Sequence, residues 1–153
     1  MIVIKKSSTA DTRSCDVSKV SKEQLKRSTI QHKTDICTAI EFIVSKLREN
    51  AHWHDWDKLD DLDTFYSDFQ RNFQTHDWWD NHKKIQKHHI NKECIHYEDI
   101  NLLDILEHIV DCCMAGLGRT GTVYPLVIDP ELLQKAVVNT VDLLVRNTKV
   151  EDQ

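Results

Sequence analysis

The chain has 153 residues, enough to bury one sizeable core and short for two. Its formal charge of -5 argues against a general nucleic-acid surface, which needs a basic excess to displace counterions. No stretch approaches the roughly twenty apolar residues of a membrane-spanning helix, so no membrane partner is expected.

The opening MIVIKK places four apolar residues before two lysines. That run is too short for a secretory leader, and the expected location is the cytoplasm. Residues 1 to 20 read as a flexible N-terminal arm, because KKSSTADTRSCDVS at 5 to 18 is polar with no apolar period; a short strand at 2 to 4 is its only element. A single helical domain is expected over 21 to 150. Ser21 with Gln24 three residues later has the form of a capping box, and Ile36, Ile40, Ile43, Val44 and Leu47 then recur at helical spacing. His32 lies one turn before Ile36. A break is expected at Glu49 to His52.

After the break, Leu62, Phe65, Tyr66, Phe69 and Phe73 follow a cluster of aspartates suited to a helix N-terminus. Trp78, His82, Ile85 and His89 then share one helical stripe. Residues 90 to 99 read as a linker. From Asn101 to Met114, Leu103, Leu106, Val110 and Met114 form one face, with Glu107 and Asp111 stacked a turn apart beside it. Asp129 is a natural N-cap with Pro130 at the first position of the last helix, which continues through Leu133, Ala136, Val137, Val141 and Leu144. Strand-like alternation is confined to pieces such as TVYPLVI at 122 to 128. The class is therefore all-α, with about five or six helices.

Cysteine and histidine point to chemistry in different ways. The five cysteines (Cys15, Cys37, Cys94, Cys112, Cys113) are odd in number and irregular in spacing, unlike a disulfide framework. Eight of the nine histidines fall from His52 to His108, among all four tryptophans and many acids. His32, the pair His54 and Asp55, the group His82, His88 and His89, and the pair Glu107 and Asp111 come from separate helices or helix edges. Imidazole nitrogen and carboxylate oxygen are donors that suit Zn, Mn, Fe or Mg. One such residue on an apolar stripe is usually a satisfied core side chain. Several aimed at one core are different, because each buried ionisable group costs free energy unless paired or metal-bound.

The order of a His, then HD about twenty residues later, then a distant Asp resembles the ligand series of HD-domain phosphohydrolases. The chain is also similar to an uncharacterised bacterial and phage family related to them, whose members show HDxSK, HxxxNxHH and ExxxD. Here those motifs read HDWDK from His54 to Lys58, HKKIQKHH from His82 to His89, and EHIVD from Glu107 to Asp111. Asp57 stands in place of Ser and Gln86 in place of Asn. The resemblance covers about residues 30 to 115 and implies an HD-like helical bundle. It further implies that His32, His54, Asp55 and Asp111 bind a divalent metal ion (Mn, Co, Mg, Fe, Zn or Ni).

The expected activity is hydrolysis of a small phosphorylated substrate, a nucleotide or related phosphoester, by a metal-activated water. Lys58 could neutralise a substrate phosphate or be a solvated surface lysine. His82, His88 or His89 could hold a second metal, contact phosphate or protonate the leaving oxygen, and at a helix end His88 and His89 could also be plain surface residues. Glu107 would most simply accept a hydrogen bond that orients an imidazole. A homo-oligomer is left open, as is a non-catalytic helical metal-binding or interaction protein.

Two further patterns compete. Cys113 to Gly121 (CMAGLGRTG) matches the CxxGxxR(T)G phosphate loop of protein tyrosine phosphatases, in which Cys113 would be the nucleophile, Arg119 a phosphate ligand and Asp80 the acid. Such a loop follows a buried strand, whereas residues 101 to 112 have helical period. Gly116, Gly118 and Gly121 also fit GxGxxG, and a helix end followed by a turn accounts for them as well. The tryptophans Trp53, Trp56, Trp78 and Trp79 are either packing residues or a stacking surface for a base.

Overall fold

The computed structural model describes residues 1–9, 12, 13, 15–75 and 77–152. The described residues are mostly helical and form β1 (Ile2–Lys5), α1 (Lys22–Trp53), α2 (Trp56–Asp60), α3 (Leu62–Gln70), α4 (Asp77–Ile85), α5 (Leu102–Thr120), α6 (Pro130–Arg146) and β2 (Thr148–Glu151), with three short 3-10 turns. By its internal contacts the chain divides into two compact units. One unit is Met1–Ser45 with Asp142–Gln153, and the other is Lys46–Val141. No helix among the described residues is long and apolar enough to cross a membrane.

In the first unit, the expected flexible arm begins as a paired strand. β1 runs parallel to β2 in the register Ile2 with Thr148 through Lys5 with Glu151, and Ile2 is buried. β2 carries no sequence signal, since four residues are too few to show a period. The Thr9 and Ser7 hydroxyls then lie 2.7 and 3.2 Å from the buried Ser28 Oγ, tying the segment after β1 to α1. The capping box forms as its sequence predicts. Gln24 N donates to Ser21 Oγ at 3.2 Å while Ser21 N donates to Gln24 Oε1 at 2.8 Å.

The break expected at 49 to 52 does not occur, and α1 continues through Trp53. Those residues include no Gly or Pro, so nothing local stops the i to i-4 ladder. The chain leaves the helix at Asp55, whose φ of 55° and ψ of 25° are left-handed. Only a few per cent of non-glycine residues take up that region, Asp and Asn most readily among them.

In the second unit, Ile100, Ile105, Leu132 and Ala136 form a buried cluster, with Ile90, Tyr97, Leu102, Ile109 and Ile128 packed against it. α5 starts on a full capping box between Asn101 and Asp104. α6 starts as expected, with Glu131 N donating to Asp129 Oδ1 at 2.9 Å.

The glycines of the CxxGxxR(T)G pattern have structural duties. Gly116 lies inside α5, where a Cβ would collide with the Thr122 carbonyl and come within 2.7 Å of Tyr124 N. Its bareness lets residues 122 to 124 cross the helix closely, and Tyr124 N donates to the Cys112 carbonyl at 3.4 Å. Gly121 ends α5 with φ 74°, donating to the Leu117 carbonyl. Thus 122 to 128 is a strap over α5 and forms no strand.

Candidate metal centre

Three short stretches of the second unit supply the site. Where α1 gives way to α2, the left-handed turn at Asp55 carries His54, Asp55, Asp57 and Lys58 on consecutive backbone directions. His82 stands in the last turn of α4, and a 3-10 turn over Lys87–His89 follows, closed by Ile90 at φ 44°. A left-handed β-branched residue is a genuine outlier, and strain of this sort gathers at functional sites. Glu107 and Asp111 project from one face of α5, a turn apart.

These side chains converge in two groups whose ligand atoms lie within 4.8 Å of one another: Asp55, His82, His88 and His89, and His54, His88 and Asp111. Asp55 Oδ1 is 3.3 Å from His82 Nε2 and 3.5 Å from His88 Nε2. The Nε2 atoms of His82 and His89 are 2.8 Å apart. His54 Nε2 faces Asp55 Oδ2 at 3.5 Å and Asp111 Oδ1 at 3.7 Å. This cluster of imidazoles and carboxylates is close enough to hold a metal ion. His82 and His88 are 0 and 2% exposed, so neither faces solvent.

Three of the inward-facing imidazoles, those of His82, His54 and His88, are held from behind. His82 Nδ1–H donates to Asp57 Oδ2 at 2.8 Å, and Gln86 Nε2 donates to Asp57 Oδ1 at 2.6 Å. His54 Nδ1–H donates to Glu107 Oε1 at 2.9 Å, and His88 Nδ1 faces the same oxygen at 3.4 Å. A proton fixed on Nδ1 leaves the Nε2 lone pair free for a cation, which is how metal-ligating histidines are oriented. Trp78 and Trp79 stack on the His82 ring with centroids 4.9 and 5.3 Å away. These two tryptophans are therefore packing residues. Asp57 and Gln86, the two departures from the family motifs, touch each other.

Electrostatics separate the imidazoles. Hydrogen bonds to Asp111 and then Glu107 raise His54 to about 10 against the cost of burial. Burial, reinforced by the charges of His88 and His82, pushes His89 down to about 3, and burial also lowers His82 despite Asp57. His54 chiefly holds Asp111 down at about 2. Burial pushes Glu107 up, but its bonds to His54 and His88 outweigh that and bring it to about 2. Burial raises Asp55 too, and the Lys58 ammonium paired with its Oδ2 overcomes this and lowers it.

Of the nine residues singled out from the sequence, His54, Asp55, Lys58, His82, His88, His89, Glu107 and Asp111 come together, and His32 does not. His32 is exposed on α1 in the first unit and belongs to neither group. His82, His88 and His89 supply imidazoles in its stead. Asp57 was missed as a positioning group because its partner is 25 positions away. The phosphate-loop alternative loses its cradle. Cys113 to Thr120 are the last turns of α5, whose amides are engaged along the helix instead of converging on an anion. No protein-family model, curated protein or solved structure matches the chain.

The back-side bonds give a test. Asp57→Asn can turn its amide NH₂ toward His82 Nδ1, which would move the ring proton to Nε2 and aim it at the ligand group. Metal affinity is expected to fall about 10- to 100-fold, read by titration with Mn²⁺, with the helical circular dichroism retained. Unchanged affinity would show that Asp57 does not orient the ligand.

Proposed function

We propose that this chain is a metal-dependent phosphohydrolase of the HD kind, acting on a phosphoester of nucleotide size. The observation that carries this reading is a pair of buried atoms with no hydrogen-bond partner, Asp55 Oδ1 and His88 Nε2. They face each other at 3.5 Å, with the hydrogen-bonded Nε2 atoms of His82 and His89 beside them. Two buried acceptors that face each other without a donor between them are costly unless a cation satisfies both. The donors are nitrogen and oxygen without thiolate, which fits Mn, Co, Mg, Fe, Zn or Ni.

His82, His88, His89 and Asp55 would hold the ion, with His54 and Asp111 completing a second group around the shared His88. A cation bound there supplies Lewis-acid polarisation of a phosphoryl oxygen and makes nearby water more acidic. The chain's own residues do the remaining work. Asp57 and Glu107 keep protons on the outer imidazole nitrogens, so that lone pairs face inward. Lys58 places its ammonium beside Asp55, where it can pair with a phosphate oxygen. Asp111 and His54 are the more exposed members and line the side open to substrate. In the net reaction water oxygen replaces the ester oxygen on phosphorus, and the leaving oxygen takes a proton.

Elemental analysis of the purified protein, followed by phosphate release from nucleotides with Mn²⁺, Co²⁺ or Mg²⁺, tests the proposal. Bound metal and release abolished by EDTA are expected, with Cys113→Ser fully active. Metal without release from any phosphoester would make it a non-catalytic metal protein, and EDTA-resistant release lost in Cys113→Ser would return the thiolate reading.

A further inference from the structure

Three cavities stand out among the described residues. One of about 340 Å³ lies in the first unit around Lys5, Arg27 and Ser28, away from any ligand group of its own. Another, of about 240 Å³, has Trp53 and Trp56 in its wall together with His88, Glu107, Gln86 and Asp104, which are already engaged in the ligand groups, in the bonds behind them or in the start of α5. It is the back of the metal centre. The third, of about 430 Å³, is lined by His89 and His108 and by Tyr97, Val127, Lys92 and Asp129 among others. His89 belongs at once to this lining and to the ligand group.

Resting on the hydrolase reading above, we propose that this third cavity receives the organic part of the substrate and selects a nucleoside by its flat base. Its volume lies toward the lower end of the ~300–1,000 Å³ typical of small-molecule pockets, which suits one nucleoside and no polymer. Its lining offers the kinds of contact such a ligand requires. The imidazole wall adjoins the centre where phosphorus would sit. Tyr97 presents an aromatic ring that the Lys135 ammonium, 5.2 Å from its centroid, helps to fix. Val127 is 86% exposed at the rim, an apolar surface that a stacked ring would cover. Lys92 Nζ lies 3.7 Å from Asp129 Oδ2, so a donor and an acceptor stand side by side, matching the paired polarity of a base edge. The wall that carries Val127 exists because the 122–128 strap is seated on α5 over Gly116.

The test compares binding of the four nucleoside 5′-monophosphates with ribose 5-phosphate to the Mn²⁺-loaded chain by calorimetry. At least one nucleotide is expected to bind tighter than ribose 5-phosphate by roughly tenfold to a hundredfold, the size of one base–aromatic stack. Val127→Asp and Lys92→Ala change exposed side chains and should each remove most of that margin without altering Mn²⁺ affinity. Equal binding of all five compounds, or a margin that survives both variants, overturns the proposal. Phosphate release followed in the same mixtures separates the two readings. Release without a base margin keeps the hydrolase and sinks the nucleoside cavity; a base margin without release does the reverse.

Discussion

Asp55→Asn is expected to remain folded and to lose its metal, with phosphate release falling to background. The loss should exceed the ~10- to 100-fold of an outer-shell change, because the residue faces three of the four imidazoles at once. Its Oδ1 addresses His82 and His88, while Oδ2 addresses His54 and pairs with Lys58. Asparagine keeps the shape and tolerates the left-handed backbone at position 55 better than most residues do. Its carbonyl can accept from Lys58 while its NH₂ points at the lone pairs of His82 and His88. The variant thereby satisfies the two orphaned atoms without a cation, so the metal-free protein should melt no lower than the metal-free parent. Wild-type metal content in Asp55→Asn, measured by elemental analysis, would remove this residue from the ligand set and the proposed centre with it.

Metal affinity should also fall steeply as pH drops, and the sign follows from His54. A ligand imidazole must be neutral, yet Asp111 and Glu107 hold a proton on His54 up to about 10. Below that pH a cation bound at His54 must expel the proton, and each unit of acidification weakens apparent affinity about tenfold, or 1.36 kcal/mol. From pH 9 to pH 6 the accumulated loss is about a thousandfold. His89, already neutral because burial holds it at about 3, contributes nothing to this slope. Nor do Asp111 and Glu107, which are ionised throughout the range at about 2. Calorimetric titration with Mn²⁺ in buffers of different ionisation enthalpy should therefore show about one proton released by His54 at neutral pH. A flat affinity between pH 6 and 9 would mean that His54 is not displaced from its proton and lies outside the bound set.

Local signals proved legible wherever neighbours in sequence make the structure. The Ser21 and Gln24 box, the Asp129 cap before Pro130, and the stacked Glu107 and Asp111 of α5 are all short-range matters. Pairings over long separations were not. β2 shows no period in four residues and exists because Ile2 to Lys5 lie alongside. The break expected after Glu49 failed because helix termination rested on one left-handed residue, Asp55, and a positive φ at an aspartate leaves no mark in composition. Nor does the chain announce that Asp57 serves His82, since a motif comparison records Asp57 only as a departure.

Helical class and the concentration of nitrogen and oxygen donors between His52 and Asp111 can be read along the chain, because propensity, caps and residue chemistry act over a few positions. Which donors meet was decided by tertiary structure alone. The turn at Asp55, the end of α4 and the face of α5 bring His54, Asp55, His82, His88, His89 and Asp111 together, and His32, in the first unit, is not among them. A ligand group is a set of distances across the chain, and distances of that kind arise only when separate elements pack.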